Sequence, residues 1–300
     1  MKEFEKNKIL NRIIYLILIL LIILSSAYIV KSFASKKEAE KERNLLNSVD
    51  VENTEESEEE KNSEGEENGT KDENNKNVIN EETKNDNSAK QEKSEEEILK
   101  EKEAASDKRK AQVAKLKEEY KNIIGWIEIK DTHISYPVVQ GKDNEFYLTH
   151  DYKGDNAERG AIFLDSNYNW NIEGNNLMIY GHYMINNEMF TDLTKYIKED
   201  FYKEHSVIRF TTENEDAEYD IIAVFRSKVY NKNDKDVFKY YNFMNSESEK
   251  EYSSFIENIK EASIYNINET AEYGDQLITL TTCSYYTEDG RFVVVGRKKS

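Results

Sequence analysis

The single cysteine of this 300-residue sequence, Cys283, closes the run Gln276-Leu277-Ile278-Thr279-Leu280-Thr281-Thr282-Cys283, just before a polar loop. The end of a strand is where a rigid scaffold can present a nucleophile. A thiol attacks acyl carbonyls as the thiolate and needs a neighbour that lowers its pKa or takes its proton. The competing reading is a buried free cysteine acting as a small core residue. Of the four histidines, His182 ends a second apolar run, Asn176-Leu177-Met178-Ile179-Tyr180-Gly181-His182, and Gly181 lets the backbone turn there. His133, His150 and His205 lie in polar, loop-like stretches and read as surface or loop-anchoring residues. Arg291 begins the run after the Cys283 loop. If that loop is a hairpin with Gly290 near its end, Arg291 returns beside Cys283. Its permanent charge could then stabilise an oxyanion or hold a substrate carbonyl. A surface arginine on an edge strand is the alternative.

The elements that must position these residues belong to a folded domain at 106–300. It opens with a helical pattern through Val113, Leu116 and Tyr120, spaced by three and four, with Gly125 as a stop signal. Short β-like runs follow at 126–129, 136–139, 160–164, 177–180, 207–211, 219–229, 277–282 and 292–295, many separated by Gly, Asn and Asp clusters. Helical patterns interrupt them at 189–202 and 248–262, the second with Tyr252, Phe255, Ile256 and Ile259 on one face. The expected class is mainly β with added helices, a barrel or sandwich rather than a parallel α/β sheet. No repeat, Gly-rich phosphate loop or zinc-ligand spacing is evident, so no cofactor and no metal are expected.

The remaining residues carry charge unevenly. The net charge is −18, made of +3 over 1–50, −11 over 51–100 and −10 over 101–300. An acidic chain without clustered Lys and Arg beyond its N-terminus is a poor partner for nucleic acid. One cysteine excludes an intramolecular disulfide, so the domain relies on its core. Residues 13–30 are uncharged and apolar, near the length of a spanning helix. Lys2, Lys6, Lys8 and Arg12 before them favour a cytoplasmic N-terminus, a bias weakened by Lys31, Lys36 and Lys37. A cleaved signal peptide is the alternative, with Ser32-Phe33-Ala34 a loose cleavage site. From about 47 to 94 the chain is Glu, Asn, Lys and Ser, too polar to offset its ordering entropy. This reads as an extended solvated spacer, with an acidic cation-binding tail as the lesser reading. The expected organisation is a cytoplasmic tail and transmembrane signal-anchor at 1–34, an acidic, largely disordered spacer at 35–105, and the catalytic domain at 106–300, outside the cell.

At these residues the sequence resembles the sortases, in particular their class B group. Thr279-Leu280-Thr281-Thr282-Cys283 matches the family's TLxTC signature, with Arg291 at a typical spacing, and Tyr180-Gly181-His182 matches its histidine motif. Gly125-Trp126-Ile127, Tyr136-Pro137-Val138-Val139-Gln140 and Gly160-Ala161-Ile162-Phe163-Leu164-Asp165 also resemble class B, and the likeness runs in order over about 115–297. Tyr183 departs from it, since class B members often carry Asn there. The resemblance implies an eight-stranded sortase β-barrel with an N-terminal helix and an inserted helix before the last strands. It implies a membrane-anchored transpeptidase of a Gram-positive surface. Its partners would be surface proteins with a C-terminal sorting motif and a peptidoglycan-precursor amine. Cys283 would attack the Thr carbonyl of the motif, His182 protonate the leaving amine, and Arg291 steady the tetrahedral intermediate.

Two rivals remain at this point: a pilin polymerase using a pilin lysine as acceptor, and a non-catalytic surface binding module. The stretch 230–268 is expected to line the substrate groove.

Overall fold

Runs rich in Val, Ile, Leu and aromatic residues suit the pleated, half- or fully buried surface of a sheet. They form eight strands: β1 (Ile123–Glu128), β2 (Ser135–Gln140), β3 (Ile162–Leu164), β4 (Asn176–Tyr180), β5 (Val207–Thr211), β6 (Asp216–Lys228), β7 (Leu277–Cys283) and β8 (Gly290–Lys298). The computed structural model describes residues 2–49, 94–171, 176–246, 248–283 and 287–300. The strands close into a barrel in the order β1-β2-β3-β4-β7-β8-β6-β5. The β2/β3 and β4/β7 pairs are parallel and the others antiparallel. The expected eight-stranded barrel is therefore borne out. β7 is buried at every residue but Cys283, as a strand covered on both faces should be.

One apolar cluster fills the barrel, including Tyr136, Ile179, Leu280 and Val294. A second lies between the outer face of β6–β8 and helix α4 (Glu249–Ala262), where Tyr252, Phe255 and Ile259 meet Phe225 and Val293. α4 precedes β7, as expected of the inserted helix. Its N-cap is Ser248, whose side chain accepts from the Glu251 N–H. The expected helix at 189–202 is instead a 3-10 segment, Thr191–Ile197, and a short helix α3 (Glu199–Glu204), separated by Lys198 in extended conformation.

A third cluster joins the barrel's outer wall to helix α2 (Glu95–Glu119) and to Leu46, in the turn that follows helix α1 (Lys2–Arg43). α2 starts on a capping box between Ser94 and Glu97 and buries Val113 and Leu116. It ends at Tyr120. Gly125 is not its stop signal but lies inside β1, where a Cβ would come within 2.6 Å of the Phe210 ring. α1 carries the apolar run and continues beyond residue 34. Ala39 and Leu46 are buried on the domain, and Glu42 pairs with Arg159. Helix thus extends into the expected spacer from both sides, to Arg43 and from Glu95, held on the first side by Ala39 and Glu42 against the barrel and started on the second by the Ser94 cap. Residues 50–93, most of that spacer, lie outside the described residues.

Candidate active site

Parallel pairing of β4 with β7 sets Tyr180 opposite Thr281, and the Gly181 N–H donates to the Thr281 carbonyl at 3.1 Å. His182 therefore leaves β4 beside the end of β7, where Cys283 stands. Gly181 is required by close packing: a Cβ would lie 2.5 Å from Ile162 Cδ1 and 2.6 Å from the Phe190 ring. On the other side, the β7/β8 register places Arg291 directly across from Cys283. The three residues expected to act together are brought together at one end of the barrel. Cys283, His182 and Arg291 are all partly buried, and all line a cavity of about 280 Å³.

His182 and Cys283 are close enough for their side chains to shift each other's titration. His182 Nε2 lies 2.8 Å from the Leu148 carbonyl, which can only accept, so Nε2 carries a proton. Arg291 Nη1 donates to the carbonyls of Asp289 and Gly290 at 3.2 and 2.9 Å, which fixes the guanidinium at the hairpin. The interaction with the Cys283 side chain, helped by the Leu148 carbonyl, raises the His182 pKa against burial and the Arg291 charge. The same interaction lowers the Cys283 pKa, aided by the charges of Arg291 and His182 and opposed by burial and Asp289. The two shifts approach each other. That favours proton transfer from thiol to imidazole, the requirement for a cysteine nucleophile.

The other histidines make contacts elsewhere. His133 Nδ1 is 2.9 Å from Asp192, His150 stacks on Phe146 with ring centroids 4.0 Å apart, and His205 Nδ1 is 3.0 Å from the Lys130 carbonyl.

Several supporting groups escaped the sequence reading. The Leu148 carbonyl carries no side-chain signature. Its placement depends on Gly160, which has φ +60° and where a Cβ would collide with the Tyr147 carbonyl. Asp165 is buried and accepts from Tyr180 Oη at 2.9 Å and Asn144 Nδ2 at 2.8 Å, fixing two cavity-lining side chains. The hydroxyls of Tyr240 and Thr281 are 2.8 Å apart beneath the cavity wall. Of the stretch 230–268, only Tyr240 and Tyr241 line this cavity among the described residues. α4 packs on β6 instead.

A family model for the sortase domain matches residues 127–299, which include all three site residues. The chain belongs to the sortase family. Sortase B of Listeria monocytogenes is 32% identical over 188 residues, covering 62% of this chain and 73% of that protein. The solved Staphylococcus aureus sortase B–substrate complex is 27% identical with a TM-score of 0.57, covering 68% of this chain and 94% of its own. A sortase B solved in complex with triglycine is 28% identical with a TM-score of 0.58, covering 68% of this chain and 92% of its own. This sortase is accordingly a cysteine transpeptidase of surface-protein sorting signals, and its closed barrel is the fold of the sortase B structures.

Proposed function

We propose that this sortase cleaves a C-terminal sorting motif after Thr and joins the acyl group to an amine of a cell-wall precursor. The meeting of His182 and Cys283 at one cavity, with Arg291 as the cross-strand partner of Cys283, carries this reading. The Cys283 thiolate attacks the Thr carbonyl carbon, and the oxyanion that develops is met by the Arg291 guanidinium. The C–N bond breaks as His182 hands its proton to the departing amine, leaving a thioester on Cys283. The acceptor amine then attacks the thioester and loses its proton to His182. A second tetrahedral species collapses, the C–S bond breaks, and the thiol returns. The acceptor's chemical class is supported by the relative that binds triglycine, a peptide with a free amine. One N-terminal helix, α1, is long and apolar enough to cross a membrane. We take its 13–30 run as a single-pass anchor with the N-terminus in the cytoplasm and the barrel outside, and the division at 1–34, 35–105 and 106–300 as the functional one.

The test is incubation of the full chain with peptides carrying sortase-type motifs, followed by mass spectrometry. Cleavage after Thr, an acyl adduct on Cys283 and its transfer to added wall-type amines support the proposal. Transfer to a pilin lysine alone would replace the acceptor. No cleavage, with Cys283 inert to thiol reagents, would overturn it.

A further inference from the structure

Among the described residues of the folded domain, the most exposed large apolar side chain is Ile185, 87% accessible, three residues after His182. It sits in a loop closed by a bridge between Tyr183 and Met189 and by the Phe190 N–H donating to the His182 carbonyl at 3.0 Å. The loop touches α1. Ser35 donates to Glu188 at 3.2 Å, and Asn186 Nδ2 approaches Ser35 Oγ at 3.5 Å. Lys31, the first residue after the apolar run, pairs with Glu158 of the barrel. One turn beyond Ser35, Ala39 is fully buried, and Glu42 and Arg159 face each other at 2.7 Å with 2% and 6% exposure. α1 therefore does not swing freely as it leaves the apolar run; it is packed on the barrel.

These contacts fix heights. At about 1.5 Å per helical residue, Ser35 stands about 7.5 Å past Val30. A headgroup layer is about 6 Å deep on each side of a hydrocarbon core about 30 Å thick. Ile185, beside the Asn186–Ser35 contact, thus stands at the outer edge of the headgroups. Lys36 and Lys37 are exposed there, nearer the apolar run than Glu38 and Glu40, and suit anionic lipid. Phe33, 72% exposed, adds apolar surface at the same level.

We propose that the 183–189 loop and the exit turns of α1 form one bilayer-contacting surface, with Ile185 against the outer headgroup layer and Lys36 and Lys37 on anionic headgroups. This rests on α1 being a membrane anchor. It holds His182, and with it the thiol, at a constant distance from the lipid.

The test uses the full chain carrying Cys283→Ala, which removes the native thiol, in vesicles of phosphatidylcholine and phosphatidylglycerol. Single cysteines replace Ser26, Ile185 or Tyr273, the last an exposed side chain packed on Tyr252 of α4. Each is labelled with an environment-sensitive fluorophore and challenged with lipids spin-labelled at the headgroup or mid-acyl chain. The expected result is quenching at position 26 by the acyl label and, at 185 by the headgroup label, at least threefold stronger than at 273. Quenching at 26, with 185 no better quenched than 273, overturns the surface and leaves the anchor standing. No quenching at 26 overturns both. A blue-shifted probe at 185 that no lipid label reaches would put protein there and also overturn the proposal.

Discussion

One stretch of chain, from Leu148 to Arg159, serves two charge-bearing clusters built to opposite ends. At its start, the Leu148 carbonyl holds His182 against Cys283 in a half-buried cavity open to substrate. At its end, Arg159 meets Glu42 with almost no solvent access. Both are acid–base contacts across large sequence separations. In the open cluster, partial burial and a neighbouring cation leave a proton free to move, which is useful only where a reaction uses it. In the closed cluster, burial makes each charge depend on the other, which joins two elements but offers nothing to a ligand. Chemistry here follows access rather than the strength of the pairing.

The sharpest way to break this contrast is to remove one partner from each cluster and measure both turnover and stability. Cys283→Ala should abolish peptide cleavage, and His182→Ala should lower kcat/KM by about 10²–10⁴-fold. In each, the unfolding free energy should move by less than about 1 kcal/mol, a small surface-type effect, in denaturant titration. Arg159→Ala should do the reverse. Leaving Glu42 buried and unpaired should destabilise by about 3–5 kcal/mol, and the double replacement Glu42→Leu with Arg159→Met should recover most of it. A loss in Arg159→Ala that the double replacement does not restore would mean that packing, not charge, joins α1 to the barrel.

Arg291→Gln sharpens the open side of the comparison. Losing a donor to the oxyanion should cost about 10²–10³-fold in kcat. The guanidinium lowers the pKa of both Cys283 and His182. Both limbs of the pH–rate profile should therefore move to higher pH, and so should the midpoint of Cys283 alkylation. The linkage to stability follows from the directions of the two shifts. His182 is raised in the fold, so its contribution is full below about pH 6.5 and fades as pH climbs through the folded value. Cys283 is lowered, so its contribution is full above about pH 8.5 and fades as pH drops through the folded value. An alkylation midpoint unmoved in Arg291→Gln would remove the arginine from the electrostatics of the pair. The smallest expected effect belongs to a position in neither cluster. Ser248→Ala should cost about 1 kcal/mol through the lost α4 cap and leave cleavage unchanged.

The proposed trio was legible because each member sits at one end of an apolar run, where β-type patterning starts or stops and a side chain becomes available. Cys283 and Arg291 needed only a hairpin to meet, and His182 a parallel partner strand. The Leu148 carbonyl was hidden, since every residue has one and only the folded chain says which is used. Asp165 looked like the end of a strand motif, and its hydrogen bonds to Tyr180 and Asn144 depend on closure of the barrel. The continuation of α1 left a faint trace in the spacing of Ala39, Glu42 and Leu46, one face of a helix. Composition argued against it, because a glutamate inside that stripe looks solvated until its arginine arrives from a distant loop.

The hydrogen bond from Gln112 Nε2 to the Leu46 carbonyl, 3.0 Å long and buried, fastens the chain just before the acidic interval to the helix that follows it. Fastened at both ends, that interval is wired in parallel with the barrel rather than in series with the membrane. Its length then drops out of the problem of reach. Doubling such an excursion costs only about 0.6 kcal/mol in closure entropy. Lineages of this sortase would be free to lengthen, shorten or recharge it while the thiol stays where α1 puts it.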